Sequence, residues 1–219
     1  MASEAQDGAA RDAATGGVPR TALLVDWGGV LTTNLFASFG AFCNEAGLAP
    51  DTLVQAFRGD AAFRDLLIAF EEGRVEEPVF EERFGGLLGV PHDGLIDRLF
   101  ARVGPDTAML DAVRAARAAG IRTGLVSNSW GTRRYDRAVL DELFDGVVIS
   151  GEVGMRKPAP EMYRLGAERA GVAPAACVYV DDLPFNLPPA AELGMATVHH
   201  VDTPATIAEL ERLLDVALA

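Results

Sequence analysis

Leu23-Leu24-Val25-Asp26-Trp27-Gly28-Gly29-Val30-Leu31-Thr32 is a short apolar run that leads into a single carboxylate and then two glycines. This is the pattern of a buried parallel strand that delivers one acid to the carboxyl edge of a sheet, the edge at which α/β folds bind ligands. Asp26 is therefore the first candidate for a chemical residue. An Asp before Gly-Gly also makes an ordinary turn. What separates the two readings is a set of later segments that end in the same way.

From Gly104 onward helical and extended patterns alternate. Residues 105–119 are predicted helical, with Leu110, Val113 and Ala116 on one side and Gly120 as the stop; residues 121–126 form a strand that runs into Ser127-Asn128-Ser129. Residues 147–149 make a third strand, 158–170 a helix closed by Gly171, and 177–180 a fourth strand that ends in Asp181-Asp182. A short helix over 188–193, a fifth strand over 196–199 and a helix over 204–218 complete the series. Strands separated by helices of this length predict a parallel sheet covered on both faces.

Between residues 34 and 104 the texture is different. Nine of the 11 phenylalanines fall there, many of them three or four residues from another apolar side chain, with breaks near Gly47, Gly73 and Gly89. That spacing predicts several amphipathic helices, an all-helical insertion whose phenylalanines form a core of their own. The remaining composition sets bounds. With 49% hydrophobic residues, a chain of 219 can bury one large core with a smaller accessory layer. A net charge of −13 repels nucleic acid and anionic membranes. Cys43 and Cys177 show no paired spacing and are expected to be reduced, which favours a cytoplasmic setting. No apolar run approaches a membrane span, and residues 1–20 have the small, polar character of a disordered tail.

The strand ends gather a chemical set: Asp26 as nucleophile, Ser127 and Asn128 as neutral donors, Lys157 as a positive charge, and Asp181-Asp182 as two further acids. A carboxylate cluster facing an anionic substrate makes sense only if a hard cation neutralises it, and Mg2+ is the natural candidate. Metal, lysine and hydroxyl or amide donors together suit a phosphoryl group, whose transfer needs charge neutralisation and in-line positioning.

The segments Asp26-Trp27-Gly28-Gly29-Val30-Leu31, Val126-Ser127-Asn128, Arg156-Lys157-Pro158-Ala159-Pro160 and Val180-Asp181-Asp182 with Asn186 resemble, in order, the four motifs of the haloacid dehalogenase superfamily. Ser127-Asn128-Ser129-Trp130 and Asp181-Asp182-Leu183-Pro184-Phe185-Asn186-Leu187 are most similar to the amino-terminal phosphatase domain of soluble epoxide hydrolase and its free-standing relatives. The resemblance implies a Rossmann-like core over residues 21–33 and 105–219 and an inserted helical cap over 34–104. It implies that Asp26 attacks phosphorus, that Ser127, Asn128 and Lys157 hold the phosphoryl group, and that Asp26, the Gly28 carbonyl and Asp182 bind Mg2+. Asp181 is then a second acid at the metal site, and Asn186 supports it from behind. The implied partner is a small phosphorylated substrate, and the implied assembly a monomer or homodimer.

One position departs from the family's phosphatase pattern. Two residues after the nucleophile the pattern has an aspartate that protonates the leaving group, and here Gly28 stands. A glycine transfers no proton, so help worth ~10² to 10⁴ in rate is missing from its usual place. A phosphatase with altered scope or a borrowed acid is the first reading. A metal-independent 2-haloacid dehalogenase, against which the paired Asp181-Asp182 argues, and a weakly active binding or regulatory protein are the alternatives. The three histidines show no metal-ligand spacing. Trp27, Trp130, Arg133 and Arg134 flank the expected pocket, where packing or surface roles explain them as well as ligand contact does.

Overall fold

The computed structural model describes residues 18–218, so residues 1–17 of the expected tail lie outside the described residues. Arg20, also assigned to that tail, is fixed to the fold: its guanidinium donates to the carbonyls of Ala175 and Gly194. Five strands, β1 (Ala22–Val25), β2 (Arg122–Ser127), β3 (Gly146–Ile149), β4 (Cys177–Asp181) and β5 (Ala196–His199), make one parallel sheet in the order β3-β2-β1-β4-β5. Side chains alternate across each strand, so β1 feeds two cores. Leu23 and Val25 face one, with Leu125, Val178 and Val180; Ala22 and Leu24 face the other, with Val126, Val148 and Tyr179.

Between β1 and β2 the chain forms α1 (Leu35–Glu45), α2 (Thr52–Gly59), α3 (Ala61–Glu71), α4 (Glu77–Leu88), α5 (Leu95–Leu99) and α6 (Thr107–Ala118). The first five pack around a separate apolar cluster that includes Phe39, Phe63, Phe70, Phe80 and Phe84. Phe80 stacks between Phe70 and Phe84 at centroid distances of 4.1 and 4.9 Å. Helix α6 covers the first sheet face through Met109, Ala112, Val113 and Ala116. It begins later than the sequence pattern predicts because Asp106 caps it, accepting from the Met109 N–H at 3.0 Å.

The carboxyl half adds α7 (Arg137–Leu143), α8 (Ser150–Val153), α9 (Pro160–Arg169), α10 (Leu187–Glu192) and α11 (Thr203–Leu214). Helices α7 and α11 share the α6 face, while α9 and α10 cover the other. The last helix stops four residues short of the predicted span, where Asp215 turns to a left-handed φ of 54°. Because β2 and β3 lie on one side of β1 and β4 and β5 on the other, the chain reverses its direction of winding beside β1. A crevice opens at that point beyond the strand ends.

Candidate active site

Sheet register assembles the site. Val25 pairs with Leu125 on one side and Val180 on the other, so the residues that follow, Asp26 and Asp181, emerge side by side, with Ser127 on the neighbouring strand. The Asp26 N–H donates to the Val180 carbonyl at 3.0 Å, extending the ladder by one residue. Gly29 then turns the chain at φ +75°, and a Cβ there would lie 2.3 Å from Asp182 Oδ2. The turn requires glycine both for its backbone and to let the Asp182 carboxylate approach.

Lys157 enters from the loop before α9 and is fully buried. Its Nζ lies 2.9 Å from Asp26 Oδ1 and 2.7 Å from Asp181 Oδ2. The backbone of Lys157 is clamped in turn by Asn128, whose amide accepts from the Lys157 N–H at 2.8 Å and donates to its carbonyl at 3.1 Å. The Asn128 side chain, read from sequence as a substrate donor, is thus occupied in fixing the lysine. Ser127 Oγ is buried at 2.9 Å from the Tyr135 hydroxyl.

The two neighbouring acids differ in surroundings. Asp181 accepts from Lys157 and the Tyr179 hydroxyl through Oδ2, and from Leu183 N–H and Asn186 Nδ2, each at 2.9 Å, through Oδ1. Although burial pushes its pKa up, Lys157 and these donors hold it below the usual carboxylate range. Asp182 has no such set, and burial, reinforced by Asp26 and Asp181, raises it to about 7. Burial also raises Asp26 to about 6, with Asp181 adding to the shift and Lys157 opposing it. Lys157 itself is pushed down by burial but up by more through Asp181 and Asp26, so it stays charged.

Fully ionised, the three carboxylates exceed the one ammonium by two negative charges, and burial with this crowding is what raises Asp26 and Asp182. Asp26, Asp181 and Asp182 each offer an oxygen within 4.8 Å of the others. Such an excess of hard oxygen donors fits a small divalent cation such as Mg2+.

Beside this centre lies a cleft of about 600 Å³, bordered by Trp27, Gly28, Ser127 and Asn128 at the sheet edge and by Leu35 and Phe100 from the inserted helices. Gly28 has no positive φ, and a Cβ there would press only on Leu35, with Cδ1 at 2.8 Å. Trp130 reaches into the phenylalanine cluster, 5.2 Å from Phe39 and 5.8 Å from Phe80. Arg133 and Arg134 lie on the cleft but pair with Glu77 and Asp97 of the inserted helices. A second link runs deeper: buried Glu71, at the end of α3, pairs with half-buried Arg156 beside Lys157.

The structure therefore brings Asp26, Ser127, Asn128, Lys157, Asp181, Asp182 and Asn186 to one sheet edge. Sequence reasoning missed Tyr179, Tyr135 and Glu71. Tyr179 carried a signal, since it lies two residues before Asp181 and so on the same face of β4; Tyr135 and Glu71 reach the site only through tertiary packing. Among the described residues no helix is long and apolar enough to cross a membrane.

The rat (Rattus norvegicus) bifunctional epoxide hydrolase 2 is 33% identical over 112 residues, 48% of this chain and 20% of that protein. The chain thus spans about a fifth of the length of these relatives. A sesquiterpene phosphatase of Aspergillus oryzae is 27% identical over 151 residues, 66% of this chain and 77% of that protein. A haloacid dehalogenase family enzyme of Bacteroides thetaiotaomicron, solved with magnesium and inorganic phosphate, superposes with a TM-score of 0.63 at 23% identity, covering 82% of this chain and 93% of that one. The family model for haloacid dehalogenase-like hydrolases matches residues 21–194. That match runs from the first strand through the inserted helices to beyond the Asp181-Asp182 loop, taking in every strand end that builds the site, and the chain belongs to the haloacid dehalogenase-like hydrolases.

Proposed function

We propose that the chain is a Mg2+-dependent phosphohydrolase acting on a small phosphorylated molecule through an aspartyl phosphate on Asp26. The observation that carries this reading is the gathering of three carboxylates, Asp26, Asp181 and Asp182, around the single ammonium of Lys157. Asp26, the Gly28 carbonyl and Asp182 would hold the ion, while Asp181, whose oxygens are already filled, anchors Lys157. The bound ion would cancel the charge excess and draw negative charge from the phosphoryl oxygens. An Asp26 oxygen attacks phosphorus, the bond to the leaving oxygen breaks and that oxygen departs with the electron pair. Water then attacks the same phosphorus, releasing phosphate and restoring the carboxylate.

Ser127 Oγ and the main chain of Asn128 position the phosphoryl oxygens, and Lys157 neutralises one of them and Asp26 together. In this reading residues 34–104 are a cap over a core of residues 21–33 and 105–219. Relatives named as phosphatases support phosphoryl transfer over dehalogenation. The test is hydrolysis of phosphate monoesters with and without a chelator, alongside Asp26→Asn. Activity is expected to vanish in both cases, because the amide keeps the carboxylate's shape but is a poor nucleophile. Chloride release from 2-chloropropionate that persists in the chelator would overturn the assignment in favour of the dehalogenase.

A further inference from the structure

The cleft beside Asp26 has two unlike ends. Near the catalytic acids its polar groups are Ser127 and Asn128, and away from them its walls are Leu31, Leu35, Phe100, Leu110 and Trp130, with Trp27 at the junction. The charged and hydroxyl side chains at this second end are already partnered. Arg114 pairs with Glu142 at 2.6 Å and with Asp111 at 2.7 Å; Arg133 and Arg134 pair with Glu77 and Asp97. Thr32 Oγ1 accepts from Gly29 N–H and donates to the Thr33 carbonyl, and Asp136 caps α7 through the Ala138 N–H.

A site that selects sugars or a second anion keeps donors or cations free to meet them, and leaving such groups unmet is what rejects the wrong ligand. Among the described residues this cleft has no unpaired cation, and its walls are aromatic or aliphatic. Gly28, at the sheet edge where the two ends of the cleft meet, adds an independent constraint, because without an acid there the leaving oxygen departs carrying its charge. Apolar aromatic walls and an unprotonated leaving oxygen together describe one chemical class.

We propose that the cleft is a leaving-group site for an uncharged aromatic ring, so that the substrates are aryl phosphate monoesters. This rests on the phosphohydrolase reading above. Edge or face contact with Trp27, Trp130 and Phe100 holds the ring, and the phenolate leaves as a stabilised anion. Its volume accommodates a fused bicyclic ring, within the usual range for small-molecule sites.

Two measurements test it. The first is kcat/KM with Mg2+ for 2-naphthyl, phenyl and octyl phosphate and for fructose 1-phosphate. Naphthyl phosphate is expected to exceed phenyl phosphate by about tenfold from the added apolar surface, and fructose 1-phosphate by at least ~10². The second does not need turnover. Trp27 and Trp130, the chain's two tryptophans, both line the cleft. Binding of 4-bromophenol, whose heavy atom quenches indole fluorescence, should therefore saturate and be competed by 2-naphthol but not by fructose. Saturable quenching without hydrolysis of any ester would sink the phosphohydrolase reading and leave the aromatic site standing. Fructose 1-phosphate or octyl phosphate turned over as well as naphthyl phosphate, or quenching that never saturates, would overturn the aromatic site and leave the phosphohydrolase intact.

Discussion

Gly28 and Gly29 are neighbours with opposite demands. Gly29 has a left-handed φ and no room beside Asp182, whereas Gly28 has an ordinary φ and meets only the far end of the Leu35 side chain. Gly28→Asp is therefore sterically open once Leu35 turns, and it would restore an acid above the leaving oxygen. For alkyl phosphates, whose leaving groups most need a proton, kcat/KM should rise by up to ~10², with little change for aryl phosphates. The measurement is the slope of kcat/KM against leaving-group pKa in both proteins, and an equally steep slope in Gly28→Asp would mean that the new acid misses the oxygen. Gly29→Ala, by contrast, should weaken Mg2+ binding, because its Cβ displaces the Asp182 carboxylate. At this scale much of the site was legible: Asp26, Ser127 and the Asp181-Asp182 pair each sit where an apolar strand ends. The division of labour was not. That Asp181 grips Lys157 while Asp182 is left without such partners depends on side-chain directions and on Tyr179, Leu183 and Asn186 converging on one carboxylate.

Among the elements, the strands were the easiest to read, since each is a short apolar run with polar punctuation, although burial on both faces leaves their register to the packing of the helices. Helices were harder at their ends. Asp60 separates α2 from α3 by capping Ala62 N–H, and α7 hangs on a cap at Asp136 with only Leu140 and Leu143 buried, too little periodicity to detect in seven residues. The phenylalanine-rich segment was legible as helices with a shared core, but the entry of Trp130 from the β2 loop into that core was not. This entry couples the cluster to Ser127 and Asn128, three and two residues away. Phe80→Ala removes a fully buried ring that stacks on two neighbours and meets Trp130 edge-on. It should cost about 3–5 kcal/mol, lowering Tm by roughly 10 °C, and should raise KM as the loop loses its anchor. Thermal denaturation and steady-state kinetics on one preparation check both effects, and an unchanged KM at lowered Tm would deny the coupling.

For the molecule as a whole, the pair of buried Glu71 and half-buried Arg156 joins the inserted helices to the sheet edge behind the site. Burial raises the Glu71 pKa to about 7, against the opposing pull of Arg156 and the more distant Lys157, with Asp26 adding to the rise. A folded-state value above the unfolded one means that the native form holds the proton more tightly between roughly pH 4.5 and 7. Stability contributed by the protonated form is complete below the unfolded pKa and is lost as pH rises through about 7. Burying the ionised form in a low-dielectric seam is what costs energy, and Arg156 returns only part of it. Glu71→Gln keeps the shape and an acceptor for Arg156 while removing the ionisation. At pH 8 it should be more stable than the parent by about 1–3 kcal/mol, a difference that shrinks toward pH 5. Urea unfolding of both proteins across that range isolates the Glu71 contribution, because Asp26 and Asp182 are common to the two. A pH-independent difference between the two proteins would mean that Arg156 keeps Glu71 ionised throughout and that the seam is an ordinary ion pair.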